Sequence, residues 1–393
     1  MEREYEYLLE ILDAFLQNRK PRDPENVNWE NLVQLSQIHC VTGILGYMAM
    51  RHPICTDPQL QESLRHVCLT TIALFTQRGE MMKELIGKLE RAGIPHILMK
   101  GYVIRDYYPV PELRTFGDID FVIPAEHRQR CHEMMLADGF QLETDWEPVF
   151  SYSRGTEFYE IHTDIMEVDV SEKADYRSYF RNMWQHAQPA EGCSYRFTPE
   201  YHFLYLLTHI AKHIHGAGAG ARMYLDIAVF LQHFEGKLDW NYLRQELEAL
   251  QLFRFCSVVL TAVERWFSIK APIRFDPVEQ DVMDRFQTFT MEAGVFGHFN
   301  RELGVNALKN AEQVQQPSRL TVLRRMVFPS AKQIDKRYTY LQKHPWLLPA
   351  AWVHRLVKNR GVLGDRAHDA QVILSADMDE VQRLQQINRE IGL

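Results

Sequence analysis

The sequence predicts an α+β fold, in which a small mixed β-sheet follows N-terminal helices and precedes a C-terminal all-helical domain. Two changes of pattern predict it. Apolar side chains repeat at helical spacing up to residue 90, and short β-prone runs then alternate with helices in the order β-α-β-α-β-β-β. That order suits a mixed sheet with helices on one side better than a parallel doubly wound sheet. The predicted segments are an N-terminal helical segment (1–90), a sheet-containing core (91–170), a helical domain (171–310) and a C-terminal helical extension (311–393).

The composition is that of a globular protein of two or three domains. The chain has 393 residues, of which 46% are hydrophobic and 24% are charged. Its 52 acidic residues outnumber 44 basic ones, which argues against a general nucleic-acid binder and leaves a local basic groove open. The six cysteines are scattered without a C-x-x-C motif, and the sequence contains neither a signal-peptide core nor a membrane-length apolar run. We therefore expect a cytoplasmic protein with reduced thiols and no membrane contact.

The boundaries of several elements follow from glycine and proline. A long helix predicted at 59–89 ends at Gly93, which can adopt a left-handed conformation, and Pro95 cannot continue a helix. The apolar run 95–99 is the first predicted strand. Further along, the runs 149–153 and 157–166 predict a β-hairpin.

Two aspartates, Asp118 and Asp120, stand two positions apart inside a β-prone run. Side chains alternate along a strand, so both carboxylates point to one face while Ile119 and Phe121 point into a core. Two like charges repel each other, and a hard divalent cation offsets that repulsion. Mg²⁺ is bound by one or two carboxylates together with phosphate oxygens of a substrate. The pair therefore predicts a metal site, with a solvated strand edge as the alternative.

The surroundings of this pair resemble the polymerase-β-type nucleotidyltransferase superfamily and, more closely, its bacterial NTP_transf_5 family. The superfamily usually has Gly-Gly or Gly-Ser where this chain has Lys100-Gly101. The resemblance covers most of the chain. Its motifs are KG at 100–101, YPVP at 108–111, Arg114, GDIDFVI at 117–123, YEIHTDI at 159–165, HIAKH at 209–213, RMYLDIAVFL at 222–231, GVFG at 294–297 and LRRMVFPS at 323–330.

The resemblance implies a polymerase-β-like core at about 91–170 and a Mg²⁺ or Mn²⁺ ion held by Asp118 and Asp120. A third carboxylate on a neighbouring strand is expected to share the metal or to act as the base. Glu160 is the favoured candidate, because it shares a strand face with His162 and matches the acidic position of the family. The other candidates are Asp164, Glu167 and Asp169, of which Asp169 is the second choice.

The remaining site residues are predicted to contact the NTP substrate. Glycine lets a backbone approach an anion, and Lys100 adds a positive charge beside it. Arg114 is expected at the triphosphate or at a metal-site carboxylate, and Asp226 is also expected to pair with Arg222, four positions earlier. The HIAKH motif lacks the glutamate of a zinc protease, so its polar face is assigned to the nucleotide or acceptor. The predicted contacts are Lys100, Gly101, Arg114, Gly117, His162, His209, Lys212, His213 and Asp226.

These expectations define one predicted function and two alternatives. The predicted function is the transfer of a nucleoside monophosphate from an NTP to an unknown acceptor, for which a small molecule is favoured. The first alternative is a non-catalytic nucleotide-binding or toxin–antitoxin protein on the same scaffold, which a missing third carboxylate would favour. The second is a toxin that nucleotidylates tRNA or protein, and a basic groove beside the cleft would favour tRNA.

Overall fold

The chain divides into two compact units. One contains Met1–Gly297 with Ile391–Leu393, and the other contains His298–Glu390. No described helix is long and apolar enough to cross a membrane. The four segment boundaries predicted from the sequence stay a prediction. The computed structural model describes residues 2–115, 119–146, 148–166, 170, 173–216, 218–271, 276–295, 324, 328–330, 334, 338, 340–358 and 378–393.

Four helices form the N-terminal part of the chain. Asn28 caps the second helix by accepting the N–H of Asn31, and Asp57 caps the fourth by accepting the N–H of Gln59. The fourth helix stops just before Gly93, whose φ is +59°, so the predicted end is confirmed. The four helices are α1 (Glu2–Leu16), α2 (Trp29–Ile38), α3 (Thr42–Arg51) and α4 (Pro58–Arg91).

A seven-stranded mixed sheet lies at the centre of the first unit. Its strand order is β3-β4-β5-β2-β1-β7-β6. The pairs β2–β5 and β1–β7 are parallel, and the other neighbours are antiparallel. The strands are β1 (His96–Leu98), β2 (Ile119–Val122), β3 (Gln141–Trp146), β4 (Val149–Arg154), β5 (Glu157–His162), β6 (Ala187–Pro189) and β7 (Ser194–Phe197).

The helices of this unit complete the predicted class of fold. The N-terminal helices, the mixed sheet and the helices that follow it confirm the α+β prediction. Thr198 Oγ1 accepts the N–H of Tyr201 at the start of the helix predicted there. The helices are α5 (Gly101–Ile104), α6 (Arg128–Ala137), α7 (Tyr176–Arg181), α8 (Pro199–Gly216), α9 (Ala221–His233), α10 (Trp240–Ala249), α11 (Phe253–Phe267) and α12 (Gln280–Ala293).

The strands β6 and β7 were not predicted, because only helices were expected after residue 171. The two strands have three and four residues, which is too short for a two-residue period to be recognised. Pro189 lies in β6, the edge strand, where no ladder N–H is needed. Their presence adds two strands beyond the expected sheet and gives β1 a second neighbour.

One face of the sheet is apolar and is covered by α4 and α6. Burying a large apolar side chain contributes about 1.5–3 kcal/mol, so this cluster is a major source of stability. Its buried members are Met82, Leu85, Leu89, Ile94, Ile119, Phe121, Ile123, Cys131, Met135, Phe140, Phe150, Tyr152, Tyr159 and Ile161. The opposite face is left for polar side chains of β2 and β5.

The described part of the second unit is helical. Ile334, Tyr338, Leu341 and Ala351 form a buried cluster, and Trp352 Nε1 donates to Pro329 O at 2.8 Å. These contacts give the unit an apolar core of its own. Its helices are α13 (Tyr340–Lys343) and α14 (Leu348–Lys358), and a last helix, α15, spans Met378–Ile391.

Candidate active site

Two parallel strands, β2 and β5, carry the acidic side chains of the candidate site. Their register pairs Asp120 with Glu160 and Val122 with His162. Alternate residues of a strand share a face, so Asp120 and Glu160 project together, away from the apolar cluster. Tyr159 and Ile161, the neighbours of Glu160, are buried on the other face at 1% and 2% exposure.

Asp120, Glu160 and His162 form a compact cluster. One ligand atom from each lies within 4.8 Å of the others. His162 Nε2 is 3.1 Å from Asp120 Oδ1 and 3.7 Å from Glu160 Oε2. The side chains of His162 and Asp120 are 6% and 11% exposed, whereas that of Glu160 is 31% exposed. The cluster is therefore buried at its base and open to solvent at Glu160.

Lys100 supplies a cation to this cluster. Its Nζ donates to Asp120 Oδ1 at 2.9 Å, the same oxygen that faces His162. The backbone of Lys100 has a φ of +48° and a ψ of −124°, which is rare for a residue with a side chain. Such conformations persist only where the surrounding structure holds them, and they are concentrated at functional sites.

The charges of the cluster shift one another. Burial opposes ionisation of Asp120, but Lys100 and His162 outweigh it and hold the pKa of Asp120 well below its usual range. Burial disfavours the charged form of His162, but its hydrogen bond to Asp120 and the nearby carboxylate of Glu160 outweigh burial and raise the pKa of His162 above its ordinary value. At neutral pH, Asp120 is therefore ionised.

The polar face of α8 lies next to this cluster. His209 Nε2 and His213 Nε2 are 3.3 Å apart. Burial, with Lys100 and other cations beside it, lowers the pKa of His213 to about 4 and that of His209 well below its ordinary value. Both imidazoles are therefore neutral at neutral pH. Because Lys100, Lys212 and Arg222 all act on His213, the surroundings of this pair are positively charged.

Arg114 and Asp226 form a buried ion pair. Arg114 Nη2 donates to Asp226 Oδ2 at 2.7 Å, Arg114 Nε donates to Oδ1 at 3.2 Å, and Tyr108 Oη donates to Oδ1 at 2.7 Å. The side chains of Arg114 and Asp226 are 5% and 8% exposed. Their predicted contacts with the nucleotide stay a prediction, but in the structure they contact each other.

The predicted pair between Arg222 and Asp226 is wrong. Within the described residues, the ion-pair partner of Asp226 is Arg114, and Arg222 Nη1 donates to Thr115 O at 3.1 Å. Residues four apart are neighbours on a helix, but a buried carboxylate bonds to whichever donors the tertiary structure brings to it. The spacing therefore gave a plausible partner, and the fold supplied a different one.

Gly101 is packed directly against Arg114. A Cβ at position 101 would lie 1.8 Å from Arg114 Nη1, a distance that no side chain can tolerate. The structure thus gives Gly101 a packing reason for having no side chain. Its predicted contact with a phosphate stays a prediction.

Several predicted residues lie elsewhere. Gly117, Asp118, Glu167 and Asp169 lie outside the described residues. Asp164 lies beyond the end of β5, where its Oδ1 accepts the N–H of Met166, and it is not in the acidic cluster. Among the described carboxylates, the neighbour that joins Asp120 is therefore Glu160.

Sequence reasoning missed the contacts that link distant parts of the chain. It assigned Lys100 to a phosphate and did not foresee its bond with Asp120. It gave no role to Tyr108 or Thr115, although Thr115 O accepts hydrogen bonds from two arginines. Each of these contacts depends on how separate segments pack, and no spacing within one element reveals them.

Comparisons with known proteins identify the family. A family described as "Uncharacterised nucleotidyltransferase", NTP_transf_5, matches residues 25–268, which is more than half of the chain. None of the curated proteins matches the chain. One similar solved structure is the solution structure of the antibiotic-resistance factor ANT(2'')-Ia, at 14% identity and a TM-score of 0.33, over 44% of this chain and 92% of that one. The match to the family spans the whole sheet together with α8 and α9, and the chain belongs to the NTP_transf_5 family of nucleotidyltransferases.

Proposed function

We propose that this enzyme transfers a nucleoside monophosphate from an NTP to a hydroxyl or phosphate group of a small-molecule acceptor, with release of pyrophosphate. The observation that carries the proposal is the acidic cluster of Asp120 and Glu160 on neighbouring strands, with Lys100 beside it. In a nucleotidyltransferase such a cluster is suited to hold a metal–nucleotide complex. The acidic balance of the chain favours a small acceptor over nucleic acid.

The donor set fits Mg²⁺ or Mn²⁺. Two carboxylates supply the oxygen ligands that these ions prefer, and among the described residues Lys100 and His162 offset their charge. His162 Nε2 lies within hydrogen-bond distance of Asp120 Oδ1, so we assign His162 to orienting that carboxylate. Because side chains alternate along a strand, the sequence predicts that Asp118 shares a face with Asp120, and we therefore include Asp118 among the proposed metal ligands.

The residues of the chain have distinct proposed roles. A bound Mg²⁺ would neutralise negative charge on the phosphates. Asp120 would bind the metal ion at the buried base of the site, where the ionised form of its carboxyl group is favoured. We assign Glu160, the most exposed of the three side chains, to accepting the proton of the attacking hydroxyl. Lys100 and Lys212 provide positive charge for the triphosphate beside the neutral pair of His209 and His213.

The binding half of the proposal is tested with Mg²⁺ or Mn²⁺ and each NTP in turn. A ligand that binds only the native state raises the melting temperature. We expect a shift that needs both metal and nucleotide and that disappears when Asp118→Asn is combined with Asp120→Asn. A double variant that retains the full metal-dependent shift would exclude this site.

The transfer half is tested with NTPs labelled at the α-phosphate. Pools of small metabolites, tRNA and protein are offered as acceptors, and Glu160→Gln serves as the matched variant. We expect metal-dependent transfer of label to a small molecule by the wild-type enzyme, with pyrophosphate as the second product. Label on tRNA or protein would replace the proposed acceptor class, and no transfer to any pool would contradict the proposal.

A further inference from the structure

The guanidinium of Arg114 contacts Asp226 of α9, which lies 112 positions further along the chain, and the start of α5. Its Nε and Nη2 donate to the two oxygens of Asp226 on α9, at 3.2 and 2.7 Å. Its Nη1 donates to Thr115 O at 3.1 Å and is packed against Gly101. Arg114 and Asp226 are both 5% exposed. One buried side chain thus links α9 to the start of α5 and to the segment before β2.

Further hydrogen bonds reinforce this junction. Tyr108 Oη donates to Asp226 Oδ1 at 2.7 Å, so both oxygens of Asp226 are engaged by this chain. Arg222 Nη1 donates to Thr115 O, and Thr115 Oγ1 donates to Cys40 O at 2.7 Å. Thr115 is therefore held by its carbonyl and by its hydroxyl. We call the group Gly101, Tyr108, Arg114, Thr115 and Asp226 the Asp226 clamp.

The clamp holds the two segments that carry the central ion pair of the candidate site. Gly101 follows Lys100, whose positive φ requires support from its surroundings. Thr115 lies shortly before β2, which carries Asp120 as its second residue. The bond from Lys100 Nζ to Asp120 Oδ1 joins these segments directly, and Arg114 contacts both of them, since it packs against Gly101 and donates to Thr115 O. A shift of Arg114 would therefore move both partners of the pair.

We propose that Asp226, acting through Arg114, is a positioning residue for Lys100 and Asp120. Its two oxygens are occupied by donors of this chain and its side chain is buried, so it acts without touching the substrate. Groups that orient a metal ligand from behind change metal affinity or activity by about 10–100-fold when they are removed. This inference rests on the proposed function in taking Asp120 as a metal ligand.

Two variants and one control test the clamp. Asp226→Asn keeps the shape of the side chain and removes the charge that holds the Arg114 guanidinium. Tyr108→Phe removes one hydrogen bond to the same carboxylate and leaves the ion pair, so it is the milder variant. The matched control is Arg154→Gln, which breaks ion pairs with Asp138 and Glu157 outside the clamp.

Hydrogen exchange, Mn²⁺ affinity and steady-state kinetics are then measured on the full chain. In Asp226→Asn we expect faster amide exchange in residues 99–104 and 119–122, with β3 and β4 unchanged. Binding of Mn²⁺ alone, followed by its electron paramagnetic resonance, should weaken by about tenfold or more. We expect kcat to fall by a similar factor with KM for NTP nearly constant, because misplaced groups act in the transition state. Tyr108→Phe should show the same pattern with a smaller size.

The outcomes separate the clamp from the proposed function. A loss of stability with wild-type Mn²⁺ affinity, kcat and exchange at 99–104 and 119–122 would show that Asp226 only packs, and would overturn the inference. If Asp226→Asn does not fold, Tyr108→Phe decides by the same measurements. If the wild-type enzyme neither binds Mn²⁺ nor transfers label, the proposed function fails by itself. The exchange pattern then still decides whether Asp226 holds the two segments.

Discussion

Asp226 and Asp120 each face a cation from the connection between β1 and β2, and the two ion pairs are built differently. Asp226 receives a two-pronged arginine and a tyrosine hydroxyl, and its side chain and that of Arg114 are less than a tenth exposed. Asp120 receives one lysine ammonium and one imidazole through a single oxygen, with a second carboxylate close by. The Asp226 pair is therefore closed to solvent, whereas the Asp120 pair has a further carboxylate, that of Glu160, beside it.

One fold thus contains a fixed ion pair and an exchangeable one. An arginine fork matches a carboxylate in geometry, so both oxygens of Asp226 are already engaged by the chain. A lysine is a point charge on a flexible stem, which can leave a carboxylate when a divalent cation takes its place. The Asp226 pair therefore suits structure, and the Asp120 pair suits metal binding and chemistry.

The largest effect is expected at the exchangeable pair. Asp120→Asn removes a proposed metal ligand, and we expect the lost charge stabilisation of several kcal/mol to lower kcat by about 10³-fold. Single-turnover transfer from an α-labelled NTP measures it. Asp145→Asn is the matched control, because Asp145 is an exposed aspartate on β3 that pairs with Arg128. Equal losses in both variants would mean that Asp120 has no special role.

The closed pair should respond in stability. Asp226→Asn leaves the buried Arg114 without its counter-charge, which we expect to lower the free energy of unfolding by about 3 kcal/mol. Urea unfolding followed by circular dichroism measures this change. Asp120→Asn should be destabilised far less, because Lys100 is 22% exposed and can turn to solvent. Equal losses in the free energy of unfolding of the two variants would contradict the distinction between the two pairs.

Glu160 is expected to contribute to turnover and little to binding. Glu160→Gln should lower kcat by about 10²-fold with KM for NTP nearly unchanged, as for a general base. Glu157→Gln on the same strand is the control, since Glu157 pairs with Arg154. A raised KM with unchanged kcat would assign Glu160 to nucleotide binding.

The anchoring of α9 should be sensitive to acid. His39 Nδ1 accepts the N–H of Ala221 at 3.0 Å, so Nε2 carries the hydrogen that is donated to Met291 O. Burial lowers the pKa of His39 to about 4, below its value of 6.5 in an unfolded chain. Between these values the unfolded state binds the extra proton, so stability is present above pH 6.5 and is lost as the pH falls.

For His39 this linkage amounts to about 2 kcal/mol between pH 7.5 and pH 5. Urea unfolding at the two pH values measures the loss, and His39→Gln should reduce it, because glutamine keeps a donor and an acceptor without titrating. If the loss is the same in wild type and His39→Gln, His39 does not couple this helix to pH.

The smallest effect is expected when the lysine that a metal ion would displace from Asp120 is removed. The Lys100 ammonium competes with a metal ion for Asp120, so Lys100→Met should tighten the binding of Mn²⁺ alone by about fivefold, or about 1 kcal/mol. Lys88→Met is the control, since Lys88 pairs with Asp138 and Glu84 elsewhere. Unchanged or weaker Mn²⁺ binding in Lys100→Met would mean that the lysine supports the metal site and does not compete for it.

The sequence could predict the parts of the site that depend on local alternation. Charged and apolar residues alternate around Asp120 and around Glu160, and each pattern fixes which side chains share a face. The observed parallel register brings these two carboxylates side by side. The class of fold could be predicted for the same reason, because long helices and the longer strands show a recognisable hydrophobic period.

The parts that could not be predicted depend on which separate segments meet. Asp226 has a sequence neighbour of opposite charge in Arg222, yet it bonds to Arg114, which belongs to another segment. The short strands β6 and β7 have too few residues to show a period. Which residues and strands of separate segments pair with each other is determined by the packing of the whole unit. A local sequence pattern does not contain that information.

The parallel pairing of β2 and β5 has a consequence for how the enzyme is made. Parallel neighbours cannot be joined by a tight turn, and here α6, β3 and β4 lie between them in the chain. The carboxylates of Asp120 and Glu160 therefore meet only after a long loop has closed, a step that is slow in folding because its entropy is lost before the contacts form. During synthesis the emerging chain has no binding-competent acidic pair until β5 has left the ribosome and docked. Under the proposed function, metal and nucleotide therefore bind only after the sheet is assembled.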